Sequence, residues 1–227
     1  AEGAEILDIG GESTRPGAHP VPEAEDIDRI RPVIAAARGF AAISVDTRKA
    51  GVARAALAAG AGMVNDVSGL DFDPALSGVV ADAGAPICLM HAQGIPETMQ
   101  DNPSYGDVLL DVYDALAERI ARAASAGIPA ARIVIDPGIG FGKTEAHNLA
   151  ILRRISLFHG LGCAVLLGVS RKRFIGSIGN APDATGRFAG TLAVTLAGIA
   201  QGIQIHRVHD VAQTRQGIAL WRAVTRR

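Results

Sequence analysis

The sequence predicts an α/β fold in which a parallel sheet is covered by helices, and three observations carry that reading. Seven short apolar runs rich in β-branched residues recur along the 227 residues, and each stops on a polar residue of a ligand-binding type. Runs of this kind suit strands buried on both faces. Between them the apolar residues switch to helical spacing. The aromatic share is only 4 % and alanine is abundant, a composition that fits helices packed closely on a sheet better than a β-sandwich.

In chain order, Glu5-Ile6-Leu7 runs into Asp8, Ala42-Ile43-Ser44-Val45 into Asp46, and Gly62-Met63-Val64 into Asn65 and Asp66. Pro86-Ile87-Cys88-Leu89-Met90 meets His91, and Ile133-Val134-Ile135 meets Asp136. Ala164-Val165-Leu166-Leu167-Gly168-Val169 meets Ser170, and Ile203-Gln204-Ile205-His206-Arg207-Val208 meets His209. A polar group at each C-terminal end puts all of them on one rim, where open α/β sheets and barrels keep their active sites.

The helices follow from the intervening patterns. Residues 23–38 place Ile27, Ile30 and Ile34 on one face, and Pro32 inside that pattern predicts a kink or an early end. An alanine-rich helix over 49–59 closes at Gly60, and one opened by Pro74 closes at Gly84. The longest, 106–126, spaces Val108, Val112, Leu116 and Ile120 for one buried stripe and ends at Gly127 and Pro129. Further helices are expected at 147–158, 171–178, 187–201 and 210–223. The β–α alternation implies a parallel sheet with right-handed crossovers. Ala1-Glu2-Gly3-Ala4 reads as the end of a preceding helix capped by Gly3. The expectation is therefore a single-domain, TIM-type (α/β)8 barrel with seven of its eight strands visible, truncated at the N-terminus.

Composition removes several function classes. A formal net charge of −1 gives no field favouring nucleic acid or a membrane surface. No run approaches a membrane span, and no basic-then-apolar leader is visible. Cys88 and Cys163 sit in predicted strands without metal-ligand spacing and read as reduced core residues of a cytoplasmic protein.

Three loops that follow strand ends are long: Gly10–Pro22, 91–104 and 136–146. Long βα loops on that rim usually bind or catalyse. Gly138-Ile139-Gly140-Phe141-Gly142-Lys143-Thr144 invites a phosphate-loop reading, but Pro137 stands where the first glycine is needed, and Lys143 where a dinucleotide fingerprint needs its third. The glycines are expected instead to let backbone pass close to a flat ligand held by Asp136.

Asp46, Asn65 and Asp136 end separate strands, and together they suit a heterocycle that offers several N–H donors and an acceptor. Each could also be a helix N-cap, the preferred reading for Asp66. Arg207 and His209 flank Val208, so strand alternation puts both on one side, an oxyanion site suited to phosphate. The competing reading for Arg207 is a salt bridge to an acid such as Asp210. Thr14 and Arg15 could close over the same anion. Ser170-Arg171-Lys172-Arg173 opens a helix after a strand, and its N–H groups and cations could hold a carboxylate, or form a solvated basic turn. Asp8 alone specifies no role.

With these segments assembled, the chain resembles the dihydropteroate synthase family. The matching blocks are 6–17 (Ile-Leu-Asp-Ile-Gly-Gly-Glu-Ser-Thr-Arg-Pro-Gly), 43–47, 64–67, 90–94, 136–143, 170–172 and 207–210, in family order over essentially the whole chain. The resemblance implies a pterin-binding barrel over 1–227 that condenses 6-hydroxymethyl-7,8-dihydropterin diphosphate with 4-aminobenzoate, giving dihydropteroate and diphosphate. It implies that Asp46, Asn65 and Asp136 hold the pterin beside Lys172, and that Thr14, Arg207 and His209 grip the diphosphate. Ser170, Arg173 and Pro16 would border the aminobenzoate pocket, where sulfonamides bind in the family, with Arg15, Met90, Phe141 and Gly168 among the substrate-binding positions. Lys172, Arg207 and His209 would carry the chemistry, and Asp8 would support the first loops and the Mg²⁺ region. The family segment Asn-Val-Thr-Pro-Asp-Ser-Phe-Ser, whose asparagine contacts Mg²⁺, is not among these residues, so Mg²⁺ is expected as cofactor without a metal ligand in this chain. A homodimer is expected on the same ground. The competing readings are a pterin- or folate-binding methyltransferase of the same fold and a non-catalytic pterin-binding protein.

Overall fold

A computed structural model describes residues 2–13, 17–94 and 98–225. Thr14, Arg15 and Pro16 lie outside the described residues. Seven strands form one curled parallel sheet: β1 (Ile6–Ile9), β2 (Ala42–Asp46), β3 (Met63–Asp66), β4 (Ile87–Met90), β5 (Ile133–Asp136), β6 (Ala164–Leu167) and β7 (Ile205–His206), hydrogen-bonded in sequence order. The helices between and after them are α1 (Glu23–Ala37), α2 (Ala50–Ala59), α3 (Leu76–Ala83), α4 (Val108–Ser125), α5 (Glu145–Arg153), α6 (Arg173–Ile178), α7 (Phe188–Ala200) and α8 (Val211–Thr225). All seven predicted strands are present.

Both faces of the sheet are apolar because each strand alternates between two cores. Val45, Val64, Ile87, Leu89, Ile135, Val165 and Leu167 pack outward with the helices, where Ile30, Ile34, Val80, Val112 and Leu116 meet them. Cys88, Val134 and Leu166 point the other way and fill the inside of the curl with Met63, Ala164 and Ile205. Cys88 and Cys163 are buried free thiols. No described helix is long and apolar enough to cross a membrane.

Register decides which side chains meet on the rim. Asp46 pairs with Asn65 across β2–β3, and Met90 with Asp136 across β4–β5. Each pair therefore projects to the same side of the sheet.

Four local expectations need correction. Pro32 does not bring α1 to an early end, and the helix runs to Ala37. Both Pro32 and Asp28, whose carbonyl loses its partner, are exposed, so water can take the missing bond. The helix predicted over 147–158 begins earlier and ends at Arg153, because Thr144 and His147 form a capping box, and Ile155–Leu161 is a 3₁₀ turn. The last strand stops at His206 rather than reaching Val208, although Arg207 N still donates to Leu167 O at 3.1 Å. Asp66 is structural, but it caps no helix. Its carboxylate accepts from Ser68 N, Ser68 Oγ and Leu70 N, fixing the turn after β3.

Candidate functional site

The C-terminal rim gathers charge from both ends of the chain. Arg207 Nε donates to Asp8 Oδ2 at 2.6 Å, and its Nη2 donates to Asp46 Oδ2 at 3.2 Å. Asn65 Nδ2 donates to the same Asp8 oxygen at 3.0 Å. These contacts span the opening between β1 and β7, which share no ladder among the described residues. Arg207 thus makes an acid contact, but with Asp8 and Asp46. Asp210 is taken by Arg171, whose Nε donates to it at 3.1 Å.

The Arg207/His209 expectation based on strand alternation does not hold, because β7 has ended before either residue. His209 turns to Ser170 instead: its backbone N–H donates to Ser170 Oγ at 3.1 Å, and its Nδ1 lies 2.8 Å from the same oxygen. The direction of the bond between Ser170 Oγ and His209 Nδ1 depends on the ring tautomer. The three cations expected at the start of α6 also separate. Arg171 is neutralised by Asp210, Arg173 is exposed, and Lys172 donates to Ile139 O while its ammonium lies 4.7 Å from the centre of the Phe141 ring.

Asp136 sits beside this group. A Cβ added to Gly168 would stand 3.8 Å from Asp136 Oδ2 and 4.0 Å from Arg207 Cβ, so the floor after β6 is kept open between them. Asp136 Oδ1 accepts from Gly138 N at 2.7 Å. Burial raises its pKa, with Lys172, the Gly138 N–H, Lys143 and Arg207 opposing.

Glycine in the 136–144 loop lets its backbone pass close to the protein's own neighbouring loop. Gly138 has φ +68°, and a Cβ there would fall 1.8 Å from His91 O; at Gly142, φ +59°, it would fall 2.4 Å from Gln93 O. Lys143, set aside by the failed phosphate-loop pattern, is the bolt between the two loops. Its ammonium, with the residue only 3 % exposed, meets His91 Nδ1 at 2.9 Å, Gly138 O at 3.0 Å, Phe141 O at 3.1 Å and His91 O at 3.3 Å. Burial pushes its pKa down to about 7, yet every contact is an acceptor, so the ammonium is the form this socket suits. Burial and the Lys143 charge hold His91 neutral, with a pKa of about 2, which leaves Nδ1 able to accept. Local sequence carried no signal for this pair beyond the lengths of the two loops.

Met90 and Phe141 line a cavity of about 120 Å³ with Met99, Arg48, Ser68 and Phe72. The Arg48 guanidinium lies 4.0 Å from the Phe72 ring centre. A broader hollow of about 470 Å³ at the opposite end, between α2 and α3, lies away from every charged rim residue named above.

The carboxyl of Asp46 is raised to about 7, first by burial and then by the Asp8 charge, which Arg207 only partly offsets. Its unfolded value is about 3.9. Between those values the folded chain holds a proton that the unfolded chain has released, so this group's contribution to stability is present at low pH and lost as pH rises through about 7. Asp46→Asn is expected to flatten the decline in melting temperature between about pH 4 and 7. An unchanged slope in thermal unfolding scans across that window would refute it.

Residues 1–209 match the family model for pterin binding enzymes. The dihydropteroate synthase of Synechocystis sp. is 45% identical over 226 residues, covering 97% of this chain and 78% of the relative. That of Escherichia coli K12 is 44% identical over 214 residues, covering 93% of this chain and 75% of the relative. Among solved structures, Xanthomonas albilineans dihydropteroate synthase with 4-aminobenzoic acid superposes with a TM-score of 0.93 at 46% identity, covering 100% of this chain and 81% of that one. The Yersinia pestis enzyme in complex with a sulfonamide drug gives a TM-score of 0.94 at 41% identity, covering 98% and 81%.

Proposed function

This chain belongs to the pterin binding enzyme family, and from that premise we propose that it is a dihydropteroate synthase. It joins 6-hydroxymethyl-7,8-dihydropterin diphosphate to 4-aminobenzoate and releases diphosphate. The observation that carries the reading is the convergence of Asp46, Asn65 and Asp136 with Arg207 and Lys172 at one mouth. Acceptors for a flat ring that offers N–H donors stand beside cations for its leaving group.

In this reading Asp136, Asp46 and Asn65 hold the pterin, with Met90 and Gly168 shaping its bed. Arg207 and His209 receive the diphosphate, with Thr14 and Arg15 contributed by the loop after β1. Lys172 stands between Asp136 and the Phe141 ring, and burial lowers its pKa to about 8, so it remains a cation at neutral pH. Ser170, Arg173 and Pro16 border the aminobenzoate. The C–O bond to diphosphate breaks first, the cationic methylene is stabilised by the reduced ring and the carboxylates around it, and the neutral aniline nitrogen attacks. No strong base is required, because an aniline is unprotonated at pH 7.

Mg²⁺ fits this site only in company with the diphosphate. Among the described residues no three His, Cys, Asp or Glu side chains could hold a metal by themselves. Asp8 Oδ1 and Asp46 Oδ1 are buried without a partner, and one or two carboxylates plus phosphate oxygens and water is a ligand set that Mg²⁺ takes. Bound there, it would offset charge on the departing diphosphate. A homodimer is supported by Leu220 and Val224, which leave apolar surface on α8. A cytoplasmic location is supported by the two unpaired cysteines.

The test is calorimetric titration with the pterin diphosphate and Mg²⁺, then with 4-aminobenzoate, alongside an assay of diphosphate release. The pterin diphosphate is expected to bind, and diphosphate to appear only when both substrates are present. Preferential binding of methyltetrahydrofolate would favour the methyltransferase reading, and pterin binding without turnover the non-catalytic one.

A further inference from the structure

We propose that Asp8 is the positioning residue of this site, fixing which end of the Asn65 amide faces the pterin and where Arg207 stands. The inference rests on the functional reading above and adds to it a polarity. Asp8 Oδ2 takes two donors that approach from distant parts of the chain, Asn65 Nδ2 at 3.0 Å and Arg207 Nε at 2.6 Å. A carboxylate can only accept, so the amide nitrogen must be the end turned toward Asp8. Asn65 Oδ1 is then the end left for a ligand. No described side chain donates to it, and Asn65 keeps 8 % of its surface open.

An asparagine free to rotate would accept or donate with equal ease. Held by Asp8, which takes one of the two amide hydrogens, it turns its oxygen to the pocket and joins Asp46 and Asp136 as a third acceptor. The pocket therefore favours a ring that presents an N–H donor to the Asn65 oxygen. A ring with a bare nitrogen lone pair opposite Asn65 meets another lone pair. This is the basis for discriminating a reduced ring, which carries an added N–H, from its oxidised counterpart.

The same carboxylate accepts from Arg207 Nε and so fixes where the guanidinium stands.

The experiment uses Asp8→Asn, Asn65→Asp and the two together, with bare 6-hydroxymethyl-7,8-dihydropterin as the calorimetric probe. Each single change is expected to weaken binding by about tenfold or more, through a lost charge-assisted bond or two facing carboxylates. In the double change the amide at position 8 donates to the carboxylate at position 65, whose second oxygen again accepts from the ring. Binding is expected to return to within about threefold of the parent, with KM for 4-aminobenzoate unmoved throughout. Should Asp8→Asn alone fold poorly, the double change is compared with Asn65→Asp. The inference is overturned if folded Asp8→Asn binds the pterin like the parent, or if the double change is no better than Asn65→Asp. A parent chain that does not bind pterin at all overturns the functional reading instead.

Discussion

Arg207→Ala is expected to lower kcat/KM for the pterin diphosphate by about 10²- to 10³-fold, in the range found when a preorganised donor to a developing anion is removed. Arg207 bonds to Asp8 and Asp46, and these contacts orient its guanidinium at the mouth. Its loss removes a cation from the leaving group's path and leaves two acids without their shared counter-charge. Most of the effect should fall on kcat, because charge grows on the diphosphate as the C–O bond breaks. The pKa of Asp46 should rise further, since the Arg207 charge lowers it. Steady-state release of diphosphate measured across pH checks both points. Unchanged turnover would remove Arg207 from the mechanism.

Gly138→Ala is expected to destabilise the chain by about 3–5 kcal/mol and to weaken pterin binding more than tenfold. Two costs add. The residue sits at φ +68°, and its new Cβ would fall 1.8 Å from His91 O, inside any allowed contact. Only displacement of one loop backbone relieves that overlap. The displacement takes away the Gly138 N–H that orients Asp136 and the carbonyl that holds Lys143. Gly162→Ala separates the terms, because Gly162 has φ +73° with nothing within 4 Å of an added Cβ. It should cost only the left-handed backbone, about 1–2 kcal/mol. Chemical denaturation of the two variants measures the difference, and equal losses would show that the contact with His91 is unimportant.

The strands were legible because burial on both faces writes itself into consecutive residues, and because a polar residue ends each run. Asp46, Asn65 and Asp136 were legible for the same reason. Arg207 and His209 were legible as residues but not as geometry. Alternation applies only while a strand lasts, and the ladder after His206 continues for a single bond. The glycines of 138–142 were legible as a need for space, while the neighbour that needs it, the backbone of 91–93, belongs to another loop. Asp8 was legible as an acid ending the first strand, but its contacts were not. Its partners lie 57 and 199 positions away, and no local pattern records them. Pro32 shows the opposite case: of the kink or early end that the local rule allows, the early end does not occur, because the bond it removes faces water.

The tie between Asp8 and Arg207 also has a consequence for how the protein acquires its activity. Bringing together groups 199 positions apart is an event that local folding cannot hasten, since the intervening units must first bend the sheet far enough. Partly assembled chains would hold formed strands and helices without a working mouth. Competence to capture substrate then arrives all at once, when the two outermost strands come within reach of each other.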